Sequence, residues 1–360
     1  MKLSFRLAVL GITGLVYFSA LTALAASPLK FAAWIPYWKK TAGAAETAAH
    51  LNQLSEISPF TFTVDSAGNL KDTAKLGLAP WSDLIAAARA KKVAVLPSIL
   101  WNDSAAIDRT LSATGSRQSQ IALITKEAVT GGWTGVDVDY ENKYASTSPY
   151  FSAFLRELGT GLRARGKILS CTVEARTPPS SRYLVVPKKL EYANDYKALN
   201  KYCDEIRLMT YDQGTADIKL NLARRLGSYY FPIADPTWVR KVLDLAIKDI
   251  SPKKIMLGVA TYGYELEVTD KNKFFDYRQV RSLSYRDLLN LSKQTGQALR
   301  RNNAGELYLT YAANSKMRYA SFSDAKAIEA KIRLARIYGL RGVAIFKIDG
   351  ESDNYWPFIK

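Results

Sequence analysis

Eight apolar runs of strand length recur along this chain, and a helical segment separates each from the next. The runs are residues 31–38, 57–64, 93–101, 136–141, 167–176, 204–212, 254–264 and 342–349. Most are continuously apolar, as parallel strands covered on both faces require. The segments between them carry helix signals. Residues 81–92 place Leu84, Ile85 and Ala88 on one face. Residues 149–163 open on Pro149, and Asp235-Pro236 supplies an N-cap followed by proline at the first helical position. Further helices are read at 121–129, 195–202 and 323–338. Eight strands alternating with helices predict an α/β fold, a (β/α)8 TIM barrel in preference to an open sheet.

One spacing breaks this rhythm. The stretch between the seventh and eighth runs is too long for a single helix. Within it, 307–311 and 317–322 alternate like paired strands across Ala312-Ala313-Asn314-Ser315-Lys316. The expected division is a barrel domain over 26–265 and 323–360 with a small α+β insertion at 266–322. A hydrophobic content of 48% with 11% aromatics provides for a sizeable core.

The fourth run is unlike the others. From Val136 to Glu141 apolar and acidic residues alternate, so Asp137, Asp139 and Glu141 share one face of a strand and Val136, Val138 and Tyr140 the other. Gly131, Gly132 and Gly135 allow close backbone approach before it. Asn142 and the polar run that follows mark a strand ending in an open loop. Solvated carboxylates on a half-exposed strand are one reading of this pattern. If the acidic face points into a barrel instead, three carboxylates fall within about 7 Å along the strand. Burial and mutual repulsion then raise the pKa of at least one. Glu141, at the C-terminal end, becomes an acid able to protonate a leaving oxygen.

The formal net charge is +17, of which Lys2 and Arg6 contribute two. This charge suits a plain soluble surface or retention near an anionic polymer such as a bacterial wall. The basic residues are scattered and form no reader motif, which argues against nucleic acid as a partner. A basic head, Met1 to Arg6, precedes the apolar run 7–25, and Ala23-Leu24-Ala25 fits a small-x-small cleavage site. Residues 1–25 are therefore expected to be an export signal, with an uncleaved anchor as the alternative. No stable membrane insertion is expected after cleavage. The single histidine, His50, and the two cysteines, Cys171 and Cys203, are too few for a soft-metal site. Neither a Walker loop nor a Rossmann glycine pattern occurs, so no metal and no cofactor are expected. In an exported protein Cys171 and Cys203 could be joined, and a pair of buried thiols fits equally.

The stretch Thr134-Gly135-Val136-Asp137-Val138-Asp139-Tyr140-Glu141 resembles the Asp-Gly-x-Asp-x-Asp-x-Glu signature of family 18 glycoside hydrolases, the chitinase-like family, with Thr134 in place of the first Asp. Met209-Thr210-Tyr211-Asp212 resembles that family's sixth-strand Met-x-Tyr-Asp, and Tyr262-Gly263 its seventh-strand Tyr-Gly. The three occur in the family's order, and the insertion before the eighth strand is also similar to that of family members.

The resemblance implies a set of roles. Glu141 would protonate the glycosidic oxygen and then act as base on water. Asp139 would orient the N–H of the substrate's 2-acetamido group, whose own oxygen attacks the anomeric carbon in place of an enzyme nucleophile. Asp137 would share a proton with Asp139. Tyr211 would hydrogen-bond the acetamido carbonyl, with Met209 on the same face and Asp212 contacting the sugar or Tyr211. Arg207, inward by alternation, needs a carboxylate partner, for which Asp137 is the candidate. Trp34, Trp38, Trp101, Tyr262 and Tyr264 are candidate platforms for sugar faces, as is Phe346, where the family has tryptophan. Glu174 and Arg176 would border the cleft at the end of the fifth strand.

The expectation is thus a secreted or envelope-associated, monomeric hydrolase. It would cleave β-1,4 bonds of an N-acetylglucosamine-containing polysaccharide, peptidoglycan or chitin, with retention. The alternative is a non-catalytic, lectin-type sugar-binding relative, against which the presence of Glu141 argues.

Overall fold

The computed structural model describes residues 28–224, 229–271, 275–351 and 353–360; the segment read as an export signal lies outside them. Strands Lys30–Pro36, Glu56–Val64, Ser98–Trp101, Gly135–Tyr140, Ile168–Glu174, Glu205–Met209, Ile255–Ala260 and Gly342–Phe346 are parallel neighbours in that order. The first also pairs with the last, Trp34 opposite Phe346. This closes a (β/α)8 barrel with helices around it. Among the described residues no helix is long and apolar enough to cross a membrane.

The helix Ser148–Arg163 shows how the outer layer forms. Phe151, Phe154, Leu155, Leu158 and Leu162 recur at helical spacing and are all buried. They meet the outward face of the fourth strand, where Tyr140 stacks on Phe154 with ring centroids 5.4 Å apart. Each such side chain contributes about 1.5–3 kcal/mol by leaving water. The disulfide Cys171–Cys203 ties the fifth strand to the residue two before the sixth, and both cysteines are buried.

Two barrel strands are shorter than their apolar runs, each for a local reason. The third is split into Ala94–Val95 and Ser98–Trp101. Pro97 has no N–H to give to the ladder, although its carbonyl still accepts from Asp137 N at 3.0 Å. The seventh stops at Ala260, and the chain leaves the barrel at Gly263. There a Cβ would lie 1.9 Å from Ser321 O, so only glycine permits this crossing.

Between the seventh and eighth barrel strands lies a second, antiparallel sheet in the order Phe275–Leu283, Gly263–Asp270, Lys316–Phe322, Leu307–Ala313, Arg300–Arg301. The helix Tyr285–Thr295, opened by a Ser284/Asp287 capping box, packs Leu288 and Leu291 on one face of it. Glu306 fastens this unit to the barrel. It is fully buried, accepts from Ile233 N and Ala234 N at 2.9 and 2.7 Å, and faces Lys331 at 3.8 Å.

The barrel interior is layered. Near the N-terminal strand ends lie Glu56, Ser58, Ser98, Asp137, Ser170, Glu205 and Arg207, all buried. Above them, toward the C-terminal ends, Trp34, Phe60, Tyr211 and Tyr262 form an aromatic layer with Phe346.

Candidate active site

The alternation of the fourth strand decides which side chains face inward. Val136, Val138 and Tyr140 enter the strand–helix layer, and Asp137 and Asp139 enter the barrel. Asp137 lies deepest, with no exposed surface. Its Oδ1 accepts from Ser170 Oγ and Thr172 Oγ1, both at 2.8 Å. Its Oδ2 accepts from Ser98 Oγ at 2.7 Å and Trp34 Nε1 at 3.0 Å, and stands 3.4 Å from Arg207 Nη1. Arg207 thus has the expected carboxylate, and it also pairs with Glu205 and Glu56 at 3.0 and 3.1 Å. None of the described hydrogen bonds joins Asp137 to Asp139. Donors on the first, third and fifth strands instead occupy both Asp137 oxygens.

Asp139 is buried one step higher, and its Oδ1 has no hydrogen-bond partner among the described residues. Burial, then Glu141 and Asp137, push its carboxyl well above the usual range. Glu141 follows the strand end and is also pushed up, by burial first and then by Glu174. The pair is therefore disposed to hold a proton at the mouth of the barrel.

Tyr211 faces these acids from the end of the sixth strand, stacked on Phe346 at 5.6 Å. Burial, Asp139 and Asp212 hold its hydroxyl in the protonated, donating form. Gly258 makes room for it, since a Cβ there would stand 3.0 Å from the Tyr211 ring. Asp212 adopts a left-handed φ of +53°. Its Oδ1 accepts from the hydroxyls of Tyr262 at 2.8 Å and Tyr264 at 2.6 Å. Burial raises its pKa against the opposing effect of those two donors.

These groups enclose a cleft of ≈ 340 Å³. Of the residues singled out from sequence, Trp34, Asp139, Glu141, Glu174, Met209, Tyr211, Asp212 and Phe346 line it. Asp137 lies beneath the floor, and Tyr262 and Tyr264 stand behind Asp212. Trp38 is on the rim, half exposed and edge-on to Phe60 at 6.1 Å.

Two candidates lie elsewhere. Trp101 is buried in the outer layer, edge-on to Tyr140 at 5.3 Å, because it pairs in register with Tyr140 and shares its outward face. Arg176 stacks over Tyr192 and Tyr196 at 3.8 and 4.2 Å, in a separate surface depression. It sits two residues beyond the strand, where alternation no longer fixes direction.

Sequence reasoning missed Phe60, Thr172, Thr177, Arg182 and Trp238, which also line the cleft. Thr172 was accessible from the alternation of the fifth strand. Phe60 was obscured by a bulge between Phe60 and Phe62, which turns Phe60 inward and Phe62 outward. Arg182 and Trp238 come from segments outside the barrel strands, and Trp238 is held there by its Nε1–H donating to Thr177 Oγ1 at 2.8 Å.

Known proteins share this architecture. The spore cortex-lytic enzyme SleL of Bacillus megaterium QM B1551 superposes with a TM-score of 0.73 at 20% identity, over 92% of this chain and 73% of that one. The chitinase of Chromobacterium violaceum ATCC 12472 does so with a TM-score of 0.73 at 21% identity, over 92% and 98%. In sequence, the chain is 22% identical over 229 residues to the uncharacterized glycosylase YvbX of Bacillus subtilis (strain 168), covering 63% of this chain and 60% of that protein. It is 22% identical over 241 residues to the cortical fragment-lytic enzyme of Bacillus anthracis, covering 66% and 52%. The chain thus spans little more than half the length of these curated relatives. The sequence profile of Glycosyl hydrolases family 18 matches residues 33–351, nearly the whole described barrel and its insertion, and the chain belongs to that family.

Proposed function

We propose that this protein is a retaining, substrate-assisted glycosidase that cleaves β-1,4 bonds next to N-acetylglucosamine in the glycan strands of peptidoglycan. The observation that carries the reading is the pair of buried Asp139 and half-buried Glu141 at the barrel mouth, disposed to hold a proton and faced by a donating Tyr211. Glu174 and Asp212 also line the cleft, but hydrogen bonds hold both in place: Asn142 N and Asn194 Nδ2 donate to the first, and two tyrosine hydroxyls to the second. Both are held in place by these bonds, and the proposed nucleophile is the substrate's own acetamido group.

In the first step the 2-acetamido oxygen bonds to the anomeric carbon as the glycosidic C–O bond breaks. Glu141 transfers its proton to the leaving oxygen. Asp139 Oδ1, which lacks a donor among the described residues, accepts from the acetamido N–H, and Tyr211 donates to the acetamido carbonyl oxygen. The products are an oxazolinium ion and a free sugar hydroxyl. In the second step water attacks the anomeric carbon from the vacated face, Glu141 takes its proton, and the bond to the acetamido oxygen opens. Two inversions give retention.

Arg182 favours peptidoglycan over chitin. Among the described residues it is the only basic one lining the cleft, it is exposed, and no described ion pair engages it. Peptidoglycan carries carboxylates, on its peptide stems and on muramic residues without a stem, that a guanidinium can bind, whereas a homopolymer of N-acetylglucosamine carries no anion. Two relatives act on wall material by their names, the SleL and cortical fragment-lytic enzymes. Action at the cell envelope follows, and the net charge of +17 suits an anionic wall.

The test is release of soluble fragments from purified peptidoglycan and from N-acetylglucosamine oligomers, with products identified by mass spectrometry. Wild type should release fragments, and Glu141→Gln should lose at least a hundredfold in rate. Equal rates in the two proteins would end the assignment of Glu141. Binding without release by wild type would favour the lectin-type alternative.

A further inference from the structure

We propose that Glu174 is a positioning residue that keeps the proton on Glu141 and fixes the backbone beside it, with the buried Lys143 as its counterweight. The inference deepens the reading of Glu141 as the acid and rests on it.

Glu174 is the last residue of the fifth strand and lines the same cleft as Glu141. Its Oε1 accepts from the backbone N–H of Asn142 at 2.9 Å. Asn142 directly follows Glu141 and has a left-handed φ of +55°, a conformation that needs outside support. Its Oε2 accepts from Asn194 Nδ2 at 2.7 Å. Both carboxylate oxygens are thus anchored, one of them on the peptide that sets where Glu141 points.

Lys143 completes the arrangement from below. Its side chain has no exposed surface, its ammonium donates to Tyr140 O, and it lies 4.6 Å over the Phe151 ring and 3.9 Å from Glu174 Oε2. An apolar pair would fill this space without the cost of burying charge. A fixed anion next to a proton donor has a consequence that apolar packing lacks: it opposes ionisation of the donor.

The groups facing Glu141 come from three strand ends: Asp139 and Lys143 from the fourth, Glu174 from the fifth, and Tyr211 with Asp212 from the sixth. Burial is the largest influence raising Glu141, Glu174 is next, and Lys143 opposes both. At Glu174 itself burial acts upward, yet Lys143 and the Asn142 and Asn194 donors outweigh it and hold the carboxyl below its usual range. The anion therefore persists where Glu141 is still protonated.

The experiment is a carboxyl-carbon NMR titration of the full protein with 13C-labelled glutamate, the Glu141 signal being identified by its absence in Glu141→Gln. Glu174→Gln should move the Glu141 midpoint to lower pH, because an anion that opposed ionisation has gone. Lys143→Met should move it to higher pH, because a cation that favoured ionisation has gone. Unmoved midpoints, or shifts of the same sign in both variants, overturn the proposal. Since Lys143→Met has a predicted sign of its own, the test survives misfolding of Glu174→Gln. The titration reads the proton directly, so failure of the peptidoglycan release assay would count against the hydrolase reading and leave this result standing. In turnover, Glu174→Gln should lose roughly threefold to tenfold in kcat/KM on the basic side and little on the acidic side.

Discussion

Arg207 Nη1 stands 3.4 Å from Asp137 Oδ2, and both side chains are fully buried beneath the cleft floor. The same guanidinium pairs with Glu56 and Glu205, and Arg341 reaches those two carboxylates at 3.8 and 3.0 Å from the barrel's lower rim. Through Trp34 Nε1, which donates to the same Asp137 oxygen, this ionic layer also holds an aromatic wall of the cleft.

Arg207→Met should therefore leave Asp137 without this ion pair and Glu56 and Glu205 with Arg341 alone. The expected loss is about 3–5 kcal/mol, read as a lower denaturant midpoint with an unchanged slope. A near-neutral midpoint would show that the carboxylates do not depend on this cation.

Glu56, in the same layer, makes stability depend on pH. Burial first, then the neighbouring Glu205, raise its pKa from 4.5 to about 7. Between these values the folded state binds more protons than the unfolded chain, so this contribution is complete below about 4.5 and is lost as pH rises through about 7. Melting temperature should fall across that window in wild type and fall less in Glu56→Gln. Parallel curves for the two proteins would dissociate Glu56 from the effect.

Tyr211 and Asp139 are assigned to the acetamido group, so their loss should appear in turnover more than in binding. Tyr211→Phe and Asp139→Asn should each lower kcat by about a hundredfold with a smaller change in KM. Because the proposed mechanism needs protonated Glu141, whose pKa is raised, the basic limb of kcat/KM should lie above the ordinary glutamate range. A limb at the ordinary value would contradict the buried, proton-holding pair.

Arg182 separates the two polymers. Arg182→Gln should raise KM for peptidoglycan strands about tenfold and leave N-acetylglucosamine oligomers unaffected. Strands whose free carboxylates have been converted to amides should behave in wild type as native strands do in the variant. An equal change on both polymers would assign Arg182 a general part in the cleft.

Much of the site was legible because strand alternation is a local property of the backbone. Asp137, Asp139 and Glu141 could be put on one face from their spacing alone, and Met209 and Tyr211 followed from the same period on the sixth strand. The period fails where a strand bulges or ends. A bulge hid Phe60, the end of the fifth strand misdirected Arg176, and Trp101 was taken for a cleft residue because its register partner, Tyr140, was unknown.

By itself, the sequence determined that eight apolar strands alternate with helices and that one of them carries an acidic face. Both follow from residue periodicity, which every short segment holds within itself. Only the tertiary structure decided which acid is engaged by donors across the barrel and which keeps an open oxygen toward the cleft. Asp137 is engaged by Trp34, Ser98, Ser170, Thr172 and Arg207, which the chain brings from four other strands, while Asp139 Oδ1 meets no donor among the described residues. Proton affinity inside a protein depends on burial and on neighbours across the barrel, and those neighbours are remote in sequence.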